Sequence, residues 1–412
     1  MNAKVLPSKL EGVINAPSSK SFSHRMIIAA ALSDGVSVVS NVTDSKDISA
    51  TVAAMEALGA EISGGNGTYT VKGIFSRSDI PVNADIDCCE SGSTLRFVIP
   101  IAAALGANTV FRGQGKLPQR PITPYLREFP SKGVEFDYEN TMPFSIKGRL
   151  EAGEYRLEGD ISSQFISGLM FALPLCDGDS VIKLTSPLQS KPYADMTVEA
   201  LRIFGISVRE IEVEGLPAYL IKGNQHYKPA DVSVEGDYSQ AAFFYVANAI
   251  GSMVTVNNLN PDSTQGDKAI LDIIRGCGPA MKPFMADVGD IPDLVPILAV
   301  LGCFTDGVSR ITNAARLRIK ESDRLTAIAD ALNAVGGRVE AGSDSLTIYP
   351  VKQFTGGTVD ACNDHRIVMA MSVAATRSAA PVIIIGSEAV EKSYPSFFDD
   401  FRKLGGEVIF SE

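Results

Sequence analysis

Two kinds of helical segment alternate along the chain, and each kind recurs six times. The first kind opens with Ser, Asp or Asn, continues for about three turns of apolar, Ala-rich sequence, and then passes through a turn into a short β-branched strand. Its copies begin at Ser19, Ser93, Ser162, Asp237, Asp290 and Asn363. Six ordered copies argue against a chance similarity of Ala-rich helices, so the pattern indicates an internal repeat.

The second kind is a shorter amphipathic helix that ends at or near a glycine and is usually followed by a strand-like segment. A left-handed residue closes many helices, and glycine adopts that conformation without strain. The closing glycines are Gly59, Gly133, Gly205, Gly276, Gly336 and Gly405. The repeating unit therefore contains two helices, with strands between and after them.

The repeats divide the chain into two halves. Three units lie before about residue 228 and three after it, and the polar, Pro-containing junction at 225–229 suits a crossover between domains. A length of 412 residues also exceeds what one core supports. Two domains of three units each are therefore predicted.

Composition narrows the possible partners. With 37 basic and 48 acidic residues the net charge is −11, which argues against a nucleic acid or an anionic membrane as partner. We expect no membrane span, since no apolar run reaches about 18 residues. The six scattered cysteines favour reduced thiols in the cytoplasm. Only His24, His226 and His365 are present, so no metal site is expected.

Polar residues interrupt the apolar helices mainly at their starts. A helix N-terminus attracts anions through its free N–H groups and partial positive charge. Several such ends would form a cationic pocket in an acidic protein, although each could also be an ordinary helix cap. The polar exceptions are Lys20, Ser21, Arg25, Ser93, Arg96, Ser162, Ser163, Gln164, Asp293, Asp364, His365 and Arg366.

The segment IKESDRL, residues 319–325, places four charged side chains in what the pattern predicts as the first turn of a helix: Lys320, Glu321, Asp323 and Arg324. Taken alone, the segment is explained by a solvated helix start. Together with the other polar helix starts, it favours a functional site.

These residues carry a family resemblance. APSSKSFSHR, SGSTLR, QRPI, SSQFISGL, SKPY, EGDYSQAAFF, IPD, IKESDR, NDHR and EKSYP occur in the order found in the 3-phosphoshikimate 1-carboxyvinyltransferase (5-enolpyruvylshikimate-3-phosphate synthase) family. The resemblance covers essentially the whole chain. It implies an α/β fold of two inside-out, barrel-like domains, each of three βαβαββ units, with the active site in the cleft between them. It also implies domains at 14–228 and at 1–13 plus 229–412, with crossovers near 14–18 and 225–231.

The resemblance implies transfer of the enolpyruvyl group of phosphoenolpyruvate to the 5-hydroxyl of shikimate 3-phosphate, with release of phosphate. The positions matched to shikimate 3-phosphate binding are Lys20, Ser21, Arg25, Ser162, Ser163, Gln164, Ser190, Tyr193, Asp293 and Lys320. Those matched to phosphoenolpyruvate binding are Lys20, Gly92, Arg120, Gln164, Arg324, Arg366 and Lys392. Guanidinium groups suit the planar and tetrahedral anions of these substrates. No cofactor and no metal are implied, and a monomer is expected.

The addition–elimination chemistry needs a proton donor at C3 that later becomes the acceptor, and a base for the hydroxyl. Glu321 is expected to move the C3 proton and Asp293 to accept the hydroxyl proton, with Lys20 also in the catalytic group. Asp323 is expected to be a structural partner.

The sequence departs from well-known members at Glu90, Thr94, Phe97 and Arg316, which leaves sensitivity to the family's inhibitor glyphosate open.

Three alternatives remain. A related transferase that uses UDP-N-acetylglucosamine typically carries a Cys on the loop corresponding to 114–117, where this chain has none. A non-catalytic binder of phosphorylated metabolites would need neither Glu321 nor Asp293. An RNA-end enzyme on a related fold conflicts with the negative charge.

Overall fold

The computed structural model describes residues 1–76 and 81–411, which divide into two compact units. The central unit is Ser18–Glu235, and the split unit combines Met1–Pro17 with Gly236–Glu412. Each unit has its own hydrophobic core, as expected for a chain too long for one core. Within the described ranges, no helix is long and apolar enough to cross a membrane.

The two kinds of helix predicted from the sequence correspond to alternating helices of the structure. In the central unit they are α1 (Lys20–Ala31), α2 (Lys46–Ala57), α3 (Gly92–Leu105), α4 (Thr123–Glu128), α5 (Ser163–Ala172) and α6 (Lys191–Ile203). In the split unit they are α7 (Tyr238–Ala249), α8 (Ile270–Cys277), α9 (Val295–Gly302), α10 (Arg324–Ala334), α11 (His365–Ala375) and α12 (Phe397–Lys403).

Short strands follow the helices. The first segment of the split unit contributes β1 (Asn2–Leu6) and β2 (Glu11–Asn15). The central unit contributes β3 (Val36–Ser40), β4 (Glu61–Gly65), β5 (Thr68–Lys72), β6 (Asn83–Asp87), β7 (Asn108–Arg112), β8 (Val134–Asp137), β9 (Phe144–Gly148), β10 (Glu154–Leu157), β11 (Ser180–Leu184), β12 (Val208–Val213), β13 (Leu216–Ile221) and β14 (Val232–Ser233). The second segment of the split unit contributes β15 (Met253–Asn257), β16 (Met285–Asp287), β17 (Ser309–Thr312), β18 (Arg338–Ala341), β19 (Leu346–Tyr349), β20 (Gly357–Asp360), β21 (Val382–Ile385) and β22 (Glu407–Ser411).

The sheets repeat one topology. The central unit has the strand orders β14-β3-β5-β4, β6-β7-β9-β8 and β10-β11-β13-β12, and the split unit has β16-β17-β19-β18 and β20-β21-β1-β22. In each of these sheets the first two strands are parallel and the remaining neighbours are antiparallel. The sixth sheet is the parallel pair β15-β2, with Met253 opposite Glu11.

That pair departs from the predicted pattern, because no strand of its own sheet follows α8. The helix ends at Gly278, whose φ is +59°, and Pro279 follows with no N–H to donate. The chain then makes a turn and enters β16, which belongs to the next sheet. The fourth repeat is therefore shorter than the other five among the described residues.

The boundaries between the units differ from those expected at 14–228. Ile14 and Asn15 pair with β15, and the Ala16 N–H donates to the Asn257 carbonyl, so residues 14–17 belong to the split unit. At the other crossing, β14 pairs with β3, which keeps residues 229–235 in the central unit. The first crossing, between residues 17 and 18, falls within the expected range of 14–18, whereas strand pairing places the second between residues 235 and 236, beyond the expected 225–231.

The apolar helices are enclosed, whereas the strands alternate between buried and exposed positions. Helix α3 buries 12 of its 14 residues and α11 buries all 11, as expected of helices that are apolar on every side. Strand β3 has alternating burial along its length. Each unit thus has helices inside and sheets outside, so polar groups at the helix starts are the natural place for a site.

Candidate active site

In the central unit, side chains connect the start of α1 with that of α2, and the start of α3 with that of α5. The Lys20 Nζ lies 2.8 Å from Asp47 Oδ2, which belongs to the first turn of α2. Gln164, at the start of α5, donates to Ser93 Oγ at 2.8 Å and accepts from Arg96 at 2.7 Å. The sequence-predicted residues at these helix starts therefore form two bonded groups, one at α1 and α2 and one at α3 and α5.

The start of α3 is shaped to approach Arg120. A Cβ on Gly92 would lie 2.5 Å from an Arg120 guanidinium nitrogen, so any other residue at position 92 would push the end of this side chain from its place. The cap residue Ser91 takes the Thr94 N–H with its side chain, and the N–H groups of the two intervening residues remain available to a ligand. A buried guanidinium beside an open helix start is an arrangement that suits an anion.

Arg25 connects α1, on which it lies, to α6. Its guanidinium donates to the Tyr193 carbonyl at 2.7 Å, to the Ser21 carbonyl at 2.7 Å and to Thr197 Oγ1 at 2.8 Å. Burial lowers the pKa of Arg25 to about 10, so it stays cationic at neutral pH. The start of α6 also places the buried Ser190 in the left-handed region, with φ +58°.

In the split unit, one guanidinium holds three carboxylates. The Arg324 side chain is 1% exposed and donates to Asp364 at 2.9 and 3.2 Å, to Asp293 at 3.0 Å and to Glu321 at 2.7 Å. Asp364 is also fully buried and caps α11. Glu321 and Asp293, the two residues expected to move protons, thus both accept hydrogen bonds from one buried guanidinium. This guanidinium with its three carboxylates is the Arg324 fork.

A second arginine completes the arrangement. Arg366 donates to Asp293 Oδ2 at 2.7 Å and to Ser239 Oγ at 3.1 Å, which ties the start of α11 to the starts of α9 and α7. Lys392 is buried and donates to the Asn363 carbonyl at 2.9 Å. Both cations therefore lie at the same end of the split unit as the carboxylates.

Charge and burial oppose each other in this cluster. Burial disfavours ionised Asp293, but the charges of Arg366 and Lys320 outweigh it, and the pKa of this carboxyl is far below its ordinary value. Burial also lowers the pKa of the Lys320 ammonium to about 8, although Asp293 and Glu321 oppose that change. Asp293 is therefore ionised throughout the physiological range, whereas Lys320 titrates close to it.

The segment 319–325 is not the first helical turn that the pattern predicted. Helix α10 begins at Arg324, because the Asp323 carboxylate caps it by accepting from the Thr326 N–H at 3.2 Å. Lys320 and Glu321 lie before the helix, in extended and bent backbone after a 3₁₀ turn. This irregular backbone lets Glu321 fold back onto Arg324, while Asp323 pairs with Arg318 outside the cluster.

The predicted site residues fall into two sets, one in each unit. Two carboxylates that hold these cations were not among them: Asp47, which pairs with Lys20, and Asp364, which anchors Arg324. Asp364 sits in the NDHR motif and Asp47 in an acidic first turn, but each signal by itself also describes an ordinary cap. The central set is Lys20, Ser21, Arg25, Gly92, Arg120, Ser162, Ser163, Gln164, Ser190 and Tyr193, and the split set is Asp293, Lys320, Glu321, Arg324, Arg366 and Lys392.

Comparison with known proteins identifies the family of this chain. The family model of EPSP synthase (3-phosphoshikimate 1-carboxyvinyltransferase) matches residues 5–401. The chain belongs to the EPSP synthase family. Its similar relatives include the 3-phosphoshikimate 1-carboxyvinyltransferases of Clostridium kluyveri, 44% identical over 98% of this chain and 97% of the relative, and of Clostridium acetobutylicum, 46% identical with the same coverage.

Solved structures agree with the family assignment. An EPSP synthase from Acinetobacter baumannii superimposes with a TM-score of 0.83 at 26% identity, over 99% of this chain and 100% of that one. The enolpyruvyl transferase NikO from Streptomyces tendae has a TM-score of 0.78 at 16% identity, over 100% of this chain and 98% of that one, and shows the shared fold alone. The repeated α/β architecture expected from the sequence is thus confirmed.

Proposed function

We propose that this protein transfers the enolpyruvyl group of phosphoenolpyruvate to the 5-hydroxyl of shikimate 3-phosphate and releases phosphate. The family match over nearly the whole chain supports this reaction. The observation in the structure that supports it best is the Arg324 fork, which holds Glu321 and Asp293 as two separately placed carboxylates. A protein that only binds phosphorylated metabolites has no need of two carboxylates beside its cations.

We assign the anionic groups of the two substrates to the cationic helix starts. Shikimate 3-phosphate would take its phosphate contacts from Ser162, Ser163, Ser190, Ser21 and Arg25, and its ring contacts from Gln164, Tyr193, Asp293 and Lys320. Phosphoenolpyruvate would be bound by Lys20, Gly92, Arg120, Gln164, Arg324, Arg366 and Lys392. These contacts follow the types of group present, because arginines and free N–H groups match carboxylate and phosphate oxygens.

The carboxylates of the split unit would move the protons. Glu321, carrying a proton, protonates C3 of phosphoenolpyruvate while the 5-oxygen adds to C2. The same carboxylate then removes a C3 proton as the C2–phosphate bond breaks, and the hydroxyl proton, taken up by Asp293, passes to the departing phosphate. Glu321 thus acts as acid and then as base.

Asp293 would receive the hydroxyl proton only after both substrates are bound. Before binding, its low pKa makes it a hydrogen-bond acceptor but a weak base. Substrate anions on Arg366 and Lys320 would offset the charges that depress this pKa, and the pKa would then rise toward its ordinary value. Binding of the anions therefore strengthens the base at the moment when it is needed.

A thiol-dependent reaction has little support. Burial raises the pKa of the Cys88 thiol and, with the help of Asp87, that of Cys89, so both remain protonated at neutral pH. The loop at 114–117 also contains no cysteine. We therefore favour shikimate 3-phosphate over UDP-N-acetylglucosamine as the acceptor.

The test is phosphate release from phosphoenolpyruvate by the purified full chain, with each acceptor in turn. We expect release with shikimate 3-phosphate and none above background with UDP-N-acetylglucosamine. Release with the nucleotide sugar alone would overturn the proposed acceptor, and release with neither would favour a binding protein. Sedimentation in the same buffer tests the further proposal that the protein acts as a monomer.

The low pKa of Lys320 predicts an alkaline limit to activity. If the ammonium must be charged to bind the acceptor, kcat/KM for shikimate 3-phosphate should fall as the pH rises through about 8, since this ratio reports the free enzyme. Lys320→Arg keeps its charge to a much higher pH and should move the decline upward, even if its rate is lower. An unchanged alkaline limb in the arginine variant would assign the decline to another group.

A further inference from the structure

A chain of hydrogen bonds runs through the interior of the central unit beside the proposed phosphoenolpyruvate contacts. His24 Nδ1 lies 2.7 Å from Thr51 Oγ1, which lies 2.7 Å from Thr94 Oγ1. Thr94 Oγ1 donates in turn to Ser91 Oγ at 2.7 Å. The four side chains are each at most 1% exposed, so water does not compete for these bonds.

Donation along this series of hydrogen bonds runs in one direction, from His24 toward Ser91. The Thr94 hydroxyl has one hydrogen, and Ser91 Oγ at 2.7 Å is a closer acceptor for it than the Asp47 carbonyl at 3.4 Å. With either acceptor that hydrogen is used, so Thr94 accepts from Thr51. The Thr51 hydroxyl is then committed as a donor, and it must accept from His24. This order requires a hydrogen on Nδ1 of His24 and a bare Nε2, and Nε2 is indeed buried without a hydrogen-bond partner.

The imidazole in this position is neutral. Burial, together with the charges of Lys20 and Arg25, lowers the pKa of His24 well below its ordinary value. A neutral ring with one N–H and one bare nitrogen fits the hydrogen-bond directions without an unpaired buried charge.

The series of hydrogen bonds ends at Ser91, the residue directly before Gly92. Ser91 is the cap of α3, and its Oγ accepts both from the Thr94 N–H at 3.1 Å and from the Thr94 hydroxyl. Directly after this cap lies Gly92, against which Arg120 is packed. The series of hydrogen bonds therefore connects α1, which carries His24, through α2 to the first turn of α3.

We propose that His24 is a positioning residue for the anion site at the start of α3: through Thr51 and Thr94 it holds Ser91, and so sets the position of Gly92 against Arg120. The occupant is the phosphate or carboxylate of phosphoenolpyruvate, and this identification rests on the proposed function. These four side chains do not contact the reacting atoms, so they act on binding of this anion and not on the chemical step.

A purely structural role explains the geometry less well. Filling the same space with apolar side chains would avoid the desolvation of three hydroxyls and one imidazole, and would leave no bare nitrogen in the core. A series of hydrogen bonds across three helices, ending at a cap, serves to fix one helix start relative to the others.

Matched threonine variants test the proposal. Thr51→Val keeps the shape and removes the hydroxyl, whereas Thr51→Ser keeps the hydroxyl. We expect Thr51→Val to raise KM for phosphoenolpyruvate roughly five- to tenfold, the usual worth of one net hydrogen bond, with kcat changed less than about threefold. Binding of shikimate 3-phosphate should not change, and Thr51→Ser should restore KM.

Thr109→Val is the control for loss of a buried threonine hydroxyl. Thr109 lies on β7 in the same unit, is 1% exposed, and donates only to the nearby Ala107 carbonyl. It should lower thermal stability about as much as Thr51→Val does and leave KM for phosphoenolpyruvate unchanged. An unchanged KM in folded Thr51→Val, or an equal rise in the control, would overturn the positioning role.

The tautomer of His24 is an independent readout that needs no substrate. Nitrogen NMR of protein labelled with ¹⁵N-histidine should show one neutral ring protonated on Nδ1, and His24→Asn identifies its signals. In Thr51→Val this ring should lose its preference for the Nδ1 tautomer. A ring protonated on Nε2 in the unaltered protein would overturn the hydrogen-bond order. Failure of phosphate release in the unaltered protein would instead contradict the proposed function and leave the NMR result standing.

Discussion

Replacing Glu321 with Gln is expected to lower kcat by about 10²–10⁴-fold, the usual worth of general acid–base catalysis. The substitution keeps the side chain's shape, and the amide oxygen can still accept the hydrogen bond that Arg324 donates to the carboxylate at 2.7 Å. It removes the proton that must go to C3 and the acceptor that must take one back. The loss should therefore appear in turnover, with little change in the affinity for shikimate 3-phosphate.

Isotope exchange ties this loss to the proton transfer at C3, and a matched control tests for misfolding. In deuterated water the unaltered protein should place deuterium in the methylene group of phosphoenolpyruvate or product, and Glu321→Gln should not. The matched control is Asp323→Asn, two residues away, because Asp323 caps α10 and contacts Arg318 outside the cluster. Asparagine is an equally good cap, so this control should retain nearly full turnover. A folded Glu321→Gln protein with normal turnover would remove Glu321 from the mechanism.

Asp293→Asn should give a different result. This side chain is expected to contact the acceptor hydroxyl, so its loss should weaken binding of shikimate 3-phosphate as well as slow turnover. Deuterium exchange into phosphoenolpyruvate tests a separate step, and comparing the two variants distinguishes the two proton transfers.

Replacing Arg324 with Met is expected to destabilise the split unit by about 3–5 kcal/mol, the usual cost of removing one partner from a buried ion pair. Methionine fills much of the same space but leaves Asp364, which is fully buried, without its two-pronged contact. Asp293 retains Arg366, whereas Glu321 is partly exposed and reaches water. The stranded charge on Asp364 is thus the main source of the loss.

Urea unfolding followed by a probe in the split unit measures this change. Adding Asp364→Asn should recover part of the deficit at neutral pH, because it removes the stranded charge. The control is Arg275→Met, which breaks an exposed pair with Asp272 in the same unit and should cost no more than about 1 kcal/mol. An equally small loss for Arg324→Met would show that the fork does not stabilise the unit.

The contacts of Arg324 also bear on its assignment to phosphoenolpyruvate binding. Its guanidinium already contacts three carboxylates and is 1% exposed. A substrate anion can approach it only by displacing one partner, and the two partly exposed ones are Glu321 and Asp293. We expect Arg324 to contribute more by orienting these carboxylates than by direct contact with the substrate.

The sequence alone determined the repeat, because its signals are local. The period of the apolar positions, the Ser, Asp and Asn caps and five of the six closing glycines each act within a few residues of the chain, and they located the helices that became α1 to α12. The exception is Gly276, which lies inside α8, so that this helix closes at Gly278 instead. The order of the motifs also identified the family. The polar starts of α1, α3, α5 and α11 were predicted as anion sites for the same local reason.

Only the tertiary structure decided which charges meet and where each unit ends. β1, β2 and β14 pair with strands far away in the sequence, so no local pattern shows that residues 14–17 and 229–235 belong to different units. The same holds for Asp364 and Arg324, which lie 40 residues apart and whose capping and helix-start patterns are common to many exposed helices. Their ion pair, and the hydrogen bonds from His24 to Ser91, depend on burial and on contacts between separate helices, because a charge or a hydroxyl gains its specific partner only when packing excludes water.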